Sequence, residues 1–574
     1  MPNSTLLAGC EPPQFQFFFS IGGHMSNSHQ QPNAAPQAQT GSYDAVVVGA
    51  GFAGMYMLHK LRELGFTARV FEAGSGIGGT WFWNRYPGAR CDIESLEYSY
   101  QFDDKLQQEW DWSERYATQP ELLKYANHVA DRFSLWPDIQ LNTRVQGAHF
   151  DDASGRWTVT TTQDKVTSKF FILASGCLSS TNLPNFKGVQ DFKGDWYHTG
   201  NWPHEGVDFT GKRVAIIGTG SSAIQSIPHI AQQASRLVVF QRTPNYSIPA
   251  HNGKVPEDLR ARIKANYKQF RADNAATGFG SKFDPGAAPE LSATAEMSAL
   301  AVSEAERTAV YEARWQRGGL GFLSAFADLI FDRQANDSAA EFIRAKIRAT
   351  VRDPATAELL CGQSIVGCKR LCVDTGYYET FNRDNVSLVD VSNSPIEEIT
   401  REGVKVNGRE YAVDAIVYAT GFDAMTGTLM KMDIRGRSGL KLSDKWAEGP
   451  RNYLGLCVTG FPNMFIITGP GSPSVLSNML PSIEQHVRWI GQCLADMQAR
   501  QAQRIEPTLE AEDAWVGHVN DVANTSLYPG CNSWYLGANV PGKPRVFMPY
   551  LGYAPYVEKC NDVAAKGYQG FALA

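Results

Sequence analysis

The pattern of apolar positions becomes regular from residue 43 onward. Residues 44–48 form a largely apolar run that predicts a buried β-strand. Apolar residues over 55–64 then recur at helical spacing, and Gly65 is typical of a helix end. Residues 68–71 are a second apolar run. The pattern therefore predicts a strand, a turn, a helix and a second strand.

The turn between this strand and helix has the spacing G-x-G-x-x-G. The first glycine permits a tight turn, the second lets the backbone approach a diphosphate, and the third lets the helix pack on the sheet. An acid, Glu72, follows the second strand 23 residues after the first glycine, where a carboxylate accepts ribose hydroxyls. We interpret this as a dinucleotide site, the alternative being a structural glycine turn. The candidate residues are Gly49, Gly51, Phe52, Ala53, Gly54 and Glu72.

A second unit of the same kind follows further along the chain. The apolar run 213–217 leads into another glycine turn and a helical stretch, and 237–240 is the next predicted strand. The repeat predicts a second nucleotide site. Its turn residues are Gly218, Thr219, Gly220, Ser221, Ser222 and Ala223.

The two units differ where the ribose would bind. Gln241 takes the place of Glu72, and Arg242 and Thr243 follow it. A neutral amide, a cation and a hydroxyl suit the 2′-phosphate of NADPH, which a carboxylate would repel. The first turn thus fits FAD and the second NADPH, although Arg242 alone is also typical of a solvated turn.

Each unit closes with a similar strand, at 169–176 and 414–421. Residues 244–367 lack the glycines of a nucleotide turn. They show helical spacing at 256–275, 303–327 and 338–349. The predicted fold class is therefore α/β, with two Rossmann-like dinucleotide-binding domains and an inserted helical domain. The first unit is too short for a complete domain, so part of it must come from later in the chain. The predicted segments are a disordered extension (1–41), the FAD domain (42–178 and 423–574), the NADP domain (179–243 and 368–422) and the helical insertion (244–367).

Composition narrows the function mainly by exclusion. The 574 residues carry a net charge of −6 and are 43% hydrophobic, without a long basic run, so we expect neither nucleic-acid nor membrane-lipid binding. No apolar run approaches the roughly 20 residues needed to cross a bilayer, and residues 1–59 contain no Lys or Arg, unlike a secretory or transit peptide. The 10 cysteines are scattered without a CxxC pair, which is typical of reduced thiols. We expect a cytoplasmic enzyme with a small-molecule substrate, as a monomer or weak homo-oligomer.

A twelve-residue segment between the two glycine turns carries a more specific signal. Residues 192–203 resemble the fingerprint FxGxxxHxxxW(P/D) of the Baeyer–Villiger monooxygenases, a family of class B flavoprotein monooxygenases. The resemblance extends over 43–574 and is strongest, at 84–92 and 533–543, to the phenylacetone and steroid monooxygenases. The matching residues are Phe192, Gly194, His198, Trp202 and Pro203.

The resemblance implies an activity. In such a family NADPH reduces FAD, dioxygen adds to give a flavin peroxide, and the peroxide attacks a ketone to yield an ester or lactone, with sulfoxidation as a side reaction. It implies that Arg370 and the retained NADP⁺ stabilise the peroxide, because an arginine holds an anion without donating its proton. Asp92 would orient Arg370, and Lys369 would join Arg242 at the 2′-phosphate. Without the family, Lys369 and Arg370 read as a solvated turn and Asp92 as a loop or helix cap.

Further roles follow only from the resemblance. His198 would act in a hinge, Trp534 would contact the nicotinamide ribose, and Met479 would lie near the substrate. As plain sequence, these are also typical packing or loop residues. Tyr553 departs from the family, whose members often have glycine there. The remaining predicted flavin contacts are Gly79, Thr80, Trp81, Tyr98 and Val145.

Two other classes stay open. The first is a flavin monooxygenase that oxygenates nitrogen or sulfur. Such enzymes share the frame of the fingerprint but carry other residues at its Trp202 end. A redox flavoprotein similar to disulfide reductases or apoptosis-inducing factors also has two nucleotide turns, but the missing CxxC pair removes its dithiol form. The physiological ketone, its regioselectivity and the oligomeric state do not follow from the sequence.

Overall fold

Each predicted glycine turn leads from a parallel strand into a helix in the computed structural model, which describes residues 41–283, 285–286 and 289–574. Residues 1–40 of the predicted N-terminal extension lie outside this part. The first segment contains six strands, of which four are parallel neighbours and the other two form an antiparallel hairpin beside them. Its elements are β1 (Ser42–Val48), α1 (Phe52–Glu63), β2 (Ala68–Phe71), α2 (Thr80–Trp83), α3 (Asp104–Glu109), α4 (Gln119–Arg132), β3 (Ile139–Gln140), β4 (Val145–Asp151), β5 (Arg156–Thr161) and β6 (Lys165–Leu173).

The second segment repeats the strand–turn–helix–strand order and then enters the helical part of the chain. Its elements are β7 (Asp195–His198), β8 (Arg213–Ile217), α5 (Ser221–Gln233), β9 (Arg236–Gln241), β10 (Ser247–Pro249), α6 (Glu257–Ala265), α7 (Tyr267–Ala275), α8 (Pro289–Thr294), α9 (Glu304–Arg317), α10 (Arg333–Thr350) and α11 (Pro354–Leu360). The predicted helix over 303–327 ends early, at Arg317. Gly318 and Gly319, with φ of 74° and 81°, adopt a left-handed backbone that stops it.

The remaining chain returns to the second sheet and then to the first. Its elements are β11 (Cys372–Asp374), α12 (Tyr377–Thr380), β12 (Val386–Asp390), β13 (Glu398–Ile399), β14 (Gly403–Val406), β15 (Arg409–Ala412), β16 (Ala415–Tyr418), α13 (Gly427–Met430), β17 (Asp433–Arg435), α14 (Leu442–Lys445), β18 (Met464–Ile466), α15 (Met479–Ala499), β19 (Ile505–Pro507), α16 (Leu509–Asn524), α17 (Tyr553–Ala565) and β20 (Phe571–Leu573).

Two sheets dominate the fold. The larger has the order β17-β4-β5-β6-β1-β2-β3, with β18 also paired to β6, and the smaller is the parallel sheet β12-β9-β8-β16-β7. Their central strands, β1 and β8, are buried on both faces, which explains their continuous apolar sequence. The α/β prediction is confirmed. The first sheet draws strands from both ends of the chain, while the domain boundaries remain a prediction.

Most of the apolar core of the described residues belongs to one large cluster. One cluster of buried side chains joins strands of both sheets to helices α1, α5, α10 and α15. The two glycine turns are thus anchored to the same core, which fixes one turn relative to the other. Among the described residues, no helix is both long enough and apolar enough to cross a membrane.

Candidate active site

The first glycine turn closes tightly on the end of β6. Gly49 has a φ of 100°, and a Cβ there would lie 2.8 Å from the carbonyl oxygen of Ala174. A Cβ at Gly54 would lie 1.8 Å from the oxygen of Gly49. Because neither position has room for a side chain, the glycines set the N-terminus of α1 at the carboxyl ends of β1 and β6.

Glu72 lies buried directly after β2 and is held by the backbone. Its Oε2 accepts the N–H of Ala50 at 2.7 Å, and its Oε1 accepts the N–H of Gly74 at 2.8 Å. Each carboxylate oxygen has a further lone pair. The acid therefore fixes the glycine turn to β2 and still offers an acceptor beside it, which fits the ribose of FAD.

Helix α2 brings further predicted flavin residues to this turn. A Cβ at Gly79 would lie 3.0 Å from the Cα of Gly51, so these two glycines face each other at close range. The indole N–H of Trp81 donates to the hydroxyl of Tyr98 at 3.2 Å, and both rings are buried. Burial raises the pKa of Tyr98. Val145 begins β4 and belongs to the apolar cluster that also contains Val48 and Phe71.

The second glycine turn has the same geometry at the end of β16. Gly218 has a φ of 116°, and a Cβ there would lie 2.4 Å from the oxygen of Ala419. Gly220 instead faces open space, since nothing lies within 4 Å of a Cβ built on it, and α5 begins at the next residue. Open space at a helix N-terminus fits a diphosphate. The hydroxyl of Thr219 donates to the carbonyl of Thr243 at 2.8 Å, which joins the turn to the end of β9.

Two cations meet beside the second turn. Arg242 is exposed after β9, and Lys369 is partly buried. Burial and, to a smaller extent, the charge of Arg242 lower the pKa of Lys369. Neither forms an ion pair with the acids of the described residues. Two adjacent cations without a counter-charge fit a 2′-phosphate. Gln241 donates its amide to the carbonyl of Leu359 at 2.6 Å, so the two cations carry the candidate contact.

Arg370 and Asp92 form an ion pair, although they are 278 residues apart. The guanidinium donates to the carboxylate through Nε and, at 2.9 Å, through Nη2, while its Nη1 donates to the carbonyl of Val475 at 2.8 Å. Burial disfavours the charge of Arg370, but the charge and hydrogen bonds of Asp92 outweigh burial and raise its pKa. The charge of Arg370 also lowers the pKa of the buried tyrosines Tyr528 and Tyr535, although burial raises the pKa of both by more. The structure thus brings the two predicted catalytic residues together.

The fingerprint segment forms β7 and the turn after it. His198 is buried, its Nδ1 accepts the N–H of Gly200 at 3.0 Å, and its Nε2 lies 3.3 Å from the hydroxyl of Thr420. Burial lowers the pKa of His198 to about 4, so this imidazole is neutral at neutral pH. A Cβ at Gly194 would lie 2.4 Å from the carbonyl oxygen of Asp414. The contacts of His198 with Thr420 and of Gly194 with Asp414 join the fingerprint segment to the two ends of β16, which agrees with a packing or hinge role.

A disulfide joins the Arg370 segment to the C-terminal part of the chain. Cys368 and Cys531 are bonded across a separation of 163 residues. The expectation of reduced thiols is therefore wrong for this pair, because a search for adjacent cysteines does not detect a distant pair brought together by folding. Seven other cysteines of the described residues are free and buried.

The other predicted residues lie around these centres. Trp534 begins a 3₁₀ turn (Trp534–Leu536) shortly after Cys531, and its ring lies 4.3 Å from that of Tyr535. Met479 begins α15 and contacts two of the apolar clusters. The hydroxyl of Tyr553 donates to the carbonyl of Pro481 at 3.3 Å, and a glycine at this position would leave a gap. Thr80 begins α2, and Ser221, Ser222 and Ala223 begin α5.

Fold and site together define an oxidoreductase with two dinucleotide sites. Residues 46–284 match the protein family described as pyridine nucleotide-disulphide oxidoreductase. The Baeyer-Villiger monooxygenase of Pseudooceanicola batsensis is 44% identical over 535 residues, which cover 92% of this chain and 95% of that protein. The solved structure described as oxidized steroid monooxygenase bound to NADP is 53% identical and has a TM-score of 0.87, covering 93% of this chain and 99% of that one. Phenazine N-monooxygenase PhzNO1 of Lysobacter antibioticus is 42% identical, covering 92% and 97%.

The chain belongs to the Baeyer–Villiger monooxygenases. The family prediction from the fingerprint is confirmed. The assignment of individual residues to the site remains a prediction.

Proposed function

We propose that this protein inserts one oxygen atom of dioxygen next to a ketone carbonyl, at the expense of NADPH, and so forms an ester or lactone. The single observation that carries the proposal is the Arg370–Asp92 ion pair in a chain with two dinucleotide turns. FAD, when bound, supplies the electron transfer and the activation of oxygen.

The first turn would hold FAD. The glycines of this turn admit a diphosphate at the N-terminus of α1, and Glu72 keeps an acceptor for the ribose. Trp81 and Tyr98 form a buried wall beside Gly51 and Gly79. The combination fits a nucleotide that stays bound between turnovers.

The second turn would hold NADPH and keep NADP⁺ in place. The open space at Gly220 and the N-terminus of α5 suit its diphosphate, and Arg242 with Lys369 suits its 2′-phosphate. Trp534 lies three residues after Cys531, and the disulfide joins Cys531 to Cys368, two residues before Arg370. We propose that this ring contacts the nicotinamide ribose.

Arg370 would hold negative charge on oxygen. Three of its N–H groups are used by Asp92 and Val475, which leaves about two of the five donors of a guanidinium for a ligand. Arginine remains protonated, so it stabilises an anion without giving up a proton. Asp92 orients the guanidinium and balances its charge.

The finer expectations stay proposals as well. We propose a ketone as the physiological substrate, a cytoplasmic location and a monomer or weak homo-oligomer. Light scattering of the purified holoenzyme measures the oligomeric state. A stable tetramer would contradict that part.

The experiment uses the holoenzyme, NADPH, ¹⁸O₂ and one aryl ketone. We expect an ester that contains one ¹⁸O atom and one NADPH consumed for each ester. Consumption of NADPH without any oxygenated product from a panel of aryl and cyclic ketones would overturn the proposal.

A second candidate is N-oxygenation of a heteroaromatic substrate. The 42% identity to a protein named phenazine N-monooxygenase favours testing it. The same assay with phenazine in place of the ketone decides between the two. An N-oxide as the only product would favour this candidate over ketone oxygenation.

A further inference from the structure

We propose that Gln225 is a positioning residue for the monooxygenase reaction, and this inference rests on the proposed function. Gln225 lies on α5, little more than one turn after the second glycine turn, and is buried. It belongs to none of the motifs above. Its side chain connects α5 to the segment that carries Asp92.

The amide of Gln225 is used at both ends. Its Oε1 accepts the hydroxyl of Tyr86 at 2.8 Å and the N–H of Arg90 at 3.4 Å, and its Nε2 donates to the carbonyl of Arg90 at 3.1 Å. An amide offers the donor and the acceptor that this site requires, while an apolar side chain of equal length offers neither. Its removal would leave partly buried backbone groups of Arg90 without their partner.

The backbone of the segment that carries Asp92 also packs closely against α5. Gly88 has a φ of 81°, and a Cβ there would lie 2.4 Å from the carbonyl oxygen of Gln225 and 2.4 Å from the ring of His229. On the other side, the N–H of Cys91 donates to Ala117 at 3.1 Å. Asp92 follows at once. Its place is therefore set by a segment held between α5 and residue 117.

Helix α5 also contacts the segment that carries Arg370, the partner of Asp92. The hydroxyl of Ser221, the first residue of α5, lies 3.2 Å from the sulfur of Cys372, two residues after Arg370. The contacts therefore close a ring that runs from α5 through Arg90 and Asp92 to Arg370 and back to α5. Gln225 holds the Asp92 side of this ring. It thereby determines where Asp92 meets Arg370 when the nucleotide turn is occupied, without touching the reacting atoms itself.

The test compares the holoenzymes of wild type, Gln225→Leu and Gln232→Leu. We expect Gln225→Leu to retain FAD and to change the KM for NADPH less than twofold. Its kcat for ester formation and its ester yield per NADPH should fall about three- to tenfold, because part of the effect of losing three hydrogen bonds reaches Asp92. Gln232 is exposed on the same helix, so its variant should behave like wild type.

A conservative variant adds a rescue. Gln225→Glu keeps the acceptor for Tyr86, and its protonated form regains a donor for the carbonyl of Arg90. The ester yield per NADPH of Gln225→Glu should therefore rise toward wild type as pH falls, whereas that of Gln225→Leu should not. If Gln225→Leu loses FAD, Tyr86→Phe removes only one hydroxyl and should lower the yield in the same direction.

The proposal is overturned if Gln225→Leu keeps the wild-type yield, if Gln232→Leu loses as much, or if Tyr86→Phe is unaffected while Gln225→Leu loses FAD. Ester formation by the wild type distinguishes failure of this proposal from failure of the proposed function. Ester from wild type together with a normal Gln225→Leu rejects only the role of Gln225, whereas no ester from wild type rejects the proposed function first.

Discussion

The side chains at the second turn distinguish two nucleotides that differ by one phosphate. The charge of Arg242 acts on Lys369, and neither cation pairs with an acid of the described residues. Gln241 stands where the first turn has Glu72, and its amide donates to the carbonyl of Leu359. An unpaired cation pair binds a 2′-phosphate by charge-assisted hydrogen bonds. The preference for NADPH is therefore set by few residues.

Arg242→Ala should lower kcat/KM for NADPH by several-fold to about a hundredfold, the range for one or two charge-assisted hydrogen bonds, with little change for NADH. Steady-state rates with each nucleotide measure the preference. Arg236, exposed at the opposite end of β9, is the matched control, and Arg236→Ala should keep the wild-type preference. An unchanged preference in Arg242→Ala would show that the phosphate is read elsewhere.

At the scale of the element, the two glycine turns use their glycines differently. A Cβ at Gly54 meets the backbone at 1.8 Å, whereas a Cβ at Gly220 meets nothing within 4 Å. Gly54 lets helix α1 pack against its own turn, whereas Gly220 leaves space in front of helix α5. One substitution at each position separates folding from nucleotide binding.

Gly54→Ala should yield protein with little FAD, because α1 cannot stay on the turn. Gly220→Ala should keep the FAD content and the thermal midpoint of wild type while raising the KM for NADPH, because its methyl group occupies the space for the diphosphate. The flavin absorbance per protein and the KM are the readouts. Full FAD content in Gly54→Ala would contradict the packing argument.

Helix α15 contains a buried imidazole that makes folding depend on pH. His486 accepts the N–H of Thr468 at 2.8 Å and lies 2.8 Å from the hydroxyl of Tyr556, and burial lowers its pKa to about 3. The unfolded chain binds a proton here below about pH 6.5, whereas the folded chain does so only near pH 3. This residue therefore lowers the stability as pH falls from 6.5 toward 3.

His486→Gln should flatten this part of the stability–pH curve, by an amount on the order of a few kcal/mol over the full range. Denaturant unfolding at several pH values measures the slope. His149→Gln should change the slope much less, because that ring is exposed to solvent. Equal slopes in wild type and His486→Gln would contradict the argument.

At the scale of the whole molecule, local patterns predicted more than distant contacts. The glycine turns, their strands and the α/β class follow from short-range spacing, and the fingerprint predicted the family. The domain boundaries and individual site residues stay predictions. Contacts between segments far apart in the chain leave no local pattern, which is why the Cys368–Cys531 disulfide and the amide contacts of Gln225 were not predicted. The pairing of Arg370 with Asp92 came from the family resemblance and not from spacing.

The central claim is that the guanidinium of Arg370, held by Asp92, makes oxygen insertion productive. The most direct test measures the ester formed per NADPH consumed by the holoenzymes of wild type, Arg370→Lys and Arg370→Ala. We expect Arg370→Ala to bind FAD and to be reduced by NADPH, yet to lose ester formation by about a hundredfold or more. Arg370→Lys should recover little, because an ammonium lacks the fork that pairs with Asp92. A wild-type yield of ester from Arg370→Ala would contradict the account.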